Sequence, residues 1–185
     1  MRLDESAIRI TPWEDGRLSV QIGKFSPVVG NWMPRHLSWD NPFVTAPLPY
    51  EHLTNVSDVE PPRSTYLFTY PHGPDAAYEY LPIIWNAAYA TGMSVSGRLN
   101  EFEYAFEIKN AALSSRPDSW DATHSGFDHP TWSARLGWRP TLAWNLGLSA
   151  SRGPYLHPEA ESRLRRGSDI GEFDQIIFGH DISFA

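Results

Sequence analysis

The sequence predicts an all-β chain: an antiparallel up-and-down meander forming part of a transmembrane β-barrel. Three observations carry that expectation. The first is strict alternation in residues 131–151, TWSARLGWRPTLAWNLGLSAS, where Trp132, Ala134, Leu136, Trp138, Leu142, Trp144, Leu146, Leu148 and Ala150 fall on every second position. Successive strand side chains point to opposite faces, so one face of this hairpin is apolar and the other small, polar and partly charged. The second is that short and long connections alternate along the chain, as in barrels with tight turns at one rim and long loops at the other. The third is the placement of glycines inside strands, mostly on the face opposite the apolar one, where small inward residues would leave a lumen open.

Seven segments alternate with period two. They are residues 7–13; 17–25, with Leu18, Val20 and Ile22 on one face; and 88–99, with Tyr89, Met93, Val95 and Leu99. Next come residues 101–110, with Phe102, Tyr104, Phe106 and Ile108, the two arms of the hairpin, and residues 173–185, with Ile176, Phe178, Ile182 and Phe184 interrupted by His180. Tight turns are expected at Glu14-Asp15-Gly16, where Gly supplies φ > 0, at Asn100 and at Pro140. Long connections fall at 26–87, 111–130 and 152–172. Each hairpin arm is about as long as a tilted strand needs to cross a bilayer. Gly23, Gly92, Gly97, Gly137, Gly147 and Gly179 lie within strands, all but Gly97 on the polar face.

The chain reads as one partial barrel domain, residues 1–185, with a long loop at 26–82. That loop holds ten of the sixteen prolines, so most of it cannot be central strand. Its aromatics (Trp32, Trp39, Phe43, Tyr50, Tyr66, Phe68) argue against disorder. A short strand is expected at 65–70 and a helical turn or two at 158–166, with Gly167 at its end.

Composition excludes several classes. The net charge is −7 without any basic run, which argues against a nucleic-acid partner. Cysteine is absent, so no thiolate metal site or disulfide exists. No apolar run reaches the roughly 18 residues of a transmembrane helix, and the mean hydropathy of −0.41 is compatible with barrel strands, whose hydrophobicity sits on alternate residues. Aromatic residues make up 14% of the chain, which suits interfacial girdles. MRLDESAIRI has no apolar core of a signal peptide. An exported barrel needs one, and the strand pattern runs on to Phe184 and Ala185, so the expectation is a fragment of a longer chain.

Candidate functional residues follow from the two faces. Arg98, Glu101, Glu103, Glu107, Lys109, Arg135, Arg139, Asn145 and Asp181 are expected to line a pore, where mixed charges set a transverse field. Arg35, His36, Asp40, Glu51 and Arg63, with His52, are candidates for a constriction if the long loop folds inward. Trp132, Trp138, Trp144, Phe102 and Phe106 are expected in membrane girdles. Asp118, Asp121, His124, Asp128 and His129 have oxygen and imidazole ligands at short spacing but match neither an EF-hand nor a zincin helix, so an acidic external loop is the better reading. No nucleophile elbow, P-loop or dinucleotide fingerprint is present. Glu103 and Glu107 share a strand face as a glycosidase pair would, but paired carboxylates on a strand are common, and neither an enzyme nor a cofactor is expected.

The stretch VQIGKFSPVVGNW (20–32), a strand end leading into a Pro- and Gly-containing loop, resembles Gram-negative outer-membrane porins of the phosphate-selective type. SWDNPFVTAPLPYE (38–51) and IIWNAAYATGMSVSGRL (83–99) are similar to porin-like segments as well. The resemblance implies a trimeric pore of roughly 16 to 18 strands, of which this chain would supply under half. It further implies a passive diffusion channel for small hydrophilic solutes, ions included, in contact with outer-membrane lipid. The alternative is a soluble β-sandwich that binds glycans through exposed aromatics; it requires a polar outer face and a packed apolar core. A barrel without a pore, acting as a scaffold, would fill its inward face with bulky side chains.

Overall fold

A computed structural model describes residues 5–32, 45–62, 64–66, 80–85 and 88–184. Seven strands form one sheet in the order β1 to β7, each antiparallel to its sequence neighbour. They are β1 (Ser6–Ile10), β2 (Ser19–Phe25), β3 (Ala90–Leu99), β4 (Phe102–Lys109), β5 (Thr131–Trp138), β6 (Trp144–Pro154) and β7 (Asp174–Phe184). The up-and-down meander is therefore present. Among the described residues the sheet is not closed, and β1 and β7 are its two edges.

Register follows from the side-chain pattern, because a one-residue slip would send every side chain to the other face. Ile8 opposes Ile22, Ile22 opposes Met93, Leu99 opposes Phe102, and Phe102 opposes Trp138. Beyond them Leu136 opposes Leu148, and Leu146 opposes Ile182. Most apolar residues of the seven strands thus share one face; Phe25, Ala90 and Ile177 lie on the other.

The hairpins also differ in detail from the sequence expectation. β1 stops at Ile10, and the first turn is closed by Gly16 N–H donating to Trp13 O at 3.1 Å. Asn100, φ 54°, turns β3 into β4, a conformation that Asn tolerates. Glu101 lies in that turn, outside both strands, and its carbonyl accepts the Arg139 N–H at 2.8 Å. The third turn is broader than Pro140 alone: β5 ends at Trp138 and β6 begins at Trp144, so Leu142 is a fully solvent-facing turn residue and not a strand residue. β6 in turn runs on to Pro154.

All the long connections leave from the opposite rim, where they pack into a layer of short elements. Helix α1 (Leu48–Glu51) and helix α2 (Ala122–Ser125) are single turns, and 3-10 helices span Pro117–Trp120, Pro158–Arg163 and Ile170–Glu172. The helical turn expected at 158–166 is therefore a 3-10 helix, followed by Gly167 at φ 93°. At 65–70, Thr65 and Tyr66 are in 3-10 geometry, and the remainder lies outside the described residues.

The apolar core sits in this layer and against the loop-rim end of the sheet's polar face. Val29, Tyr50, Ile84 and Leu113 form one cluster, joined by Trp32, Ala46 and Ile177. Ala88, Tyr89, Ala90, Ala111 and Trp120 form a second, and Leu156, Ala160 and Ile170 a third. The long connections are also tied by charge. Arg116 Nε donates to the buried Asp58 Oδ2 at 2.7 Å, and His157 N–H donates to Asp58 O at 2.8 Å, so Asp58 joins all three.

Candidate functional site

The two sheet faces invert the usual arrangement of a water-soluble sheet. Sixteen large apolar strand residues, among them Ile8, Ile22, Met93, Phe106, Leu136, Leu148 and Phe178, are exposed. On the opposite face Ser94, Glu107, Lys109, Thr131, Ser133, Ser149 and Ser151 are buried. Water would favour the reverse, because apolar surface costs roughly 25 cal/mol per Å² when hydrated and buried polar groups need partners.

The apolar face has an aromatic margin along its turn side. Phe102 and Trp138 stack with centroids 6.3 Å apart, and Trp144 contacts Phe184 at 4.9 Å. Towards the loop side Phe106 meets Trp132 at 5.7 Å. All five residues expected in girdles thus lie on this face. Beyond Trp132 the same face turns polar: Lys24 is paired with Asp121 at 2.8 Å, Thr91 Oγ1 donates to Trp120 O at 2.9 Å, and Arg152 Nε bonds Asp174 Oδ2. Mid-face, His180 is exposed opposite Leu148.

The polar face is where the sequence-predicted pore residues meet. Arg135 Nη2 bonds Asp181 Oδ2 at 2.8 Å, while Glu103 takes Arg139 at 3.1 Å and lies 3.9 Å from Arg135 Nη1. These four charges come from β4, β5, β7 and the β5–β6 turn. Arg135 spans β6 only because Gly147 has no side chain: a Cβ there would collide with Arg135 Nη2 and both Asp181 oxygens. Gly137, its cross-strand partner, lies under the same guanidinium, where a Cβ would be 3.0 Å from Arg135 Nη1. These glycines make room for a crossing arginine, a different role from widening a lumen. Arg98 is exposed beside this network, its Nε donating to Asn100 O at 3.0 Å. Asn145 is on the same face of β6 and is half-buried. Asp15 and Arg17 pair in the first turn, and hydrogen bonding to Arg17 holds the Asp15 carboxyl below its ordinary value.

Nearer the loop rim the polar face is covered. Residues 26–32 leave β2 and cross the sheet, with Val28 N–H donating to Glu107 Oε2 at 3.2 Å on β4 and Gly30 N–H to Ser149 Oγ at 3.1 Å on β6. Lys109 Nζ donates to Phe25 O at 2.7 Å, stands 4.4 Å above the Phe25 ring, and lies 3.4 Å from Glu107 Oε2. Glu107 and Lys109 are accordingly buried beneath this segment. Trp32 and Tyr50 rings, 4.5 Å apart, hold α1 against the same side. Burial, with Asp181 nearby, pushes the Tyr50 phenol up to about 12.

Residues 26–32 of the long loop thus fold across the polar face, and the described contacts there do not involve Glu51 or His52. Glu51 is exposed and its Oε1 accepts Ala46 N–H at 2.8 Å; His52 is exposed; Arg35, His36, Asp40 and Arg63 lie outside the described residues. Contacts are made by backbone N–H groups of Val28 and Gly30, which no side-chain pattern announces. The Pro- and Gly-containing run 26–32 was the available signal. The acidic loop disperses: Asp118 faces His157 at 3.5 Å, Asp121 faces Lys24, and His129 faces Asp169 at 3.3 Å. Among the described residues no three His, Asp or Glu side chains are placed to hold a metal ion.

No family model, curated protein or solved structure matches this chain.

Proposed function

We propose that this chain is part of the wall of an outer-membrane β-barrel of porin type, a passive diffusion channel for small hydrophilic solutes including ions. The observation that carries the reading is the inverted sheet, apolar side chains outward and charged or hydroxyl side chains inward across seven strands. A bilayer rewards that arrangement on one side and water-filled space on the other. Aromatic margins on the apolar face, and long loops gathered at one rim, support it too. A soluble sandwich would cover the apolar face with a second sheet, and among the described residues the molecule has a single sheet.

In this reading residues 26–32 and α1 narrow the passage near the loop rim, while Arg98, Arg135, Arg139, Glu103 and Asp181 line it near the turns. The edges β1 and β7 must be paired to close the wall, because lipid leaves open sheet edges unsatisfied. Strands beyond these seven, or strands of other copies of the chain, would supply the pairing. The test is reconstitution from detergent into phosphatidylcholine vesicles. Flotation with the vesicles and influx of small sugars are expected. A chain that stays monodisperse in detergent-free buffer and does not float would overturn the proposal.

A further inference from the structure

Where the three long connections meet, a cavity of about 240 Å³ opens between Thr54, Val56, Leu81, Pro82, Ser114, Tyr155, Asp174 and Gln175. Its walls are mostly apolar, from Val56, Leu81, Pro82 and the Tyr155 ring. Its polar atoms are few and partly committed. Thr54 Oγ1 donates to Leu81 O at 2.7 Å and accepts Val56 N–H at 3.2 Å. Gln175 Nε2 donates to Ile83 O at 2.9 Å, and Asp174 Oδ2 is held by Arg152. The Ser114 hydroxyl stands apart: the residue is 2% exposed and its Oγ is buried without a hydrogen-bond partner among the described residues. A buried hydroxyl left unpaired forfeits the hydrogen bond it made to water, which a ligand group can restore.

We propose that this cavity binds a small, neutral, ring-sized apolar molecule carrying one hydroxyl or N–H donor, of the phenol or indole class. Size permits it, since a dry cavity of about 150 Å³ already accepts benzene. The charge pattern selects it. Asp174 is neutralised by its pair with Arg152, and among the described residues no other charged side chain lines the cavity, so neither an anion nor a cation finds an unpaired opposite charge there. A polyol would leave most of its hydroxyls against Val56, Leu81 and Pro82, unpaired. The donor of a phenol or indole, by contrast, meets Ser114 Oγ and the carbonyl or carboxylate oxygens of Gln175 and Asp174. The site is formed by the loop layer and the loop-rim end of β7, so the inference stands independently of whether the sheet lies in a membrane.

Fluorine NMR on the full chain tests it, with 4-fluorophenol, 4-fluorotoluene and 4-fluorobenzoate as probes and a detergent-only blank. Saturable binding of 4-fluorophenol to one site is expected, tighter than 4-fluorotoluene, with no saturation by 4-fluorobenzoate. Val56→Phe places a ring in the cavity and should weaken 4-fluorophenol binding at least tenfold. Ser114→Ala removes a hydroxyl with no partner, so the fold should hold, and should weaken 4-fluorophenol roughly threefold to tenfold while sparing 4-fluorotoluene. Absence of saturation, equal binding of the benzoate, or a Ser114→Ala variant with unchanged affinity for the phenol would overturn it.

Discussion

Leu136 provides the sharpest test of what the apolar face contacts. It sits on β5 between Tyr104 and Leu148, and 65% of its surface is uncovered by protein. If lipid covers that fraction, Leu136→Ala removes three carbons worth about 0.8 kcal/mol each, scaled to the uncovered 65%, or about 1.6 kcal/mol. Leu136→Arg should cost more, about 2–4 kcal/mol near the midplane of a bilayer. If water covers the face, both changes fall within about 0.5 kcal/mol, as surface substitutions do. The assay is equilibrium urea unfolding from phosphatidylcholine vesicles, followed by tryptophan fluorescence. The expected order is parent, then Leu136→Ala, then Leu136→Arg, with the gaps just given. Equal stabilities across the three, or a Leu136→Arg chain more soluble and equally stable, would refute the argument from the exposed face.

Gly147→Ala should destabilise by about 1–3 kcal/mol through overpacking against Arg135 and Asp181. Gly179→Ala, on the same face but 3.9 Å from its nearest neighbour, should stay within about 0.5 kcal/mol; the two are compared by denaturant midpoint. Asp58→Ala removes the partner of Arg116 and should cost about 2–3 kcal/mol, detected as faster limited proteolysis of the long connections with the strands still protected. Tyr50 sets an alkaline limit. Its folded pKa lies above the unfolded one, so the unfolded chain loses its proton first and stability falls as pH rises from about 10 to 12. The loss reaches about 2.7 kcal/mol at most, from about 1.36 kcal/mol per pH step. A Tyr50→Phe chain should lack that loss when the unfolding free energy is followed across this range.

Local chemistry made the sheet legible in the sequence. Alternation of period two places Phe102, Phe106, Trp132, Trp138 and Trp144 on one face and Glu103, Glu107, Arg135 and Asp181 on the other, because strand geometry leaves each side chain only two directions. Turn residues such as Asn100 and Gly16 located the tight hairpins, since few residues tolerate left-handed backbone. Strand ends were less legible: Leu142 continues the alternation yet lies in a turn, because hydrogen-bonded pairing, and not hydrophobicity, ends a strand. The cover over the polar face was decided only by tertiary structure. It depends on backbone donors of Val28 and Gly30 meeting Glu107 and Ser149, contacts 79 and 119 residues apart in sequence, and no short-range pattern encodes such a distance. The same holds for Arg135 crossing Gly147 to Asp181 and for the cavity beside Ser114, where residues from separate loops converge. The sequence by itself determined which side chains share a face; the folded chain alone decided what each face touches, because burial is a property of neighbours brought together from far along the chain.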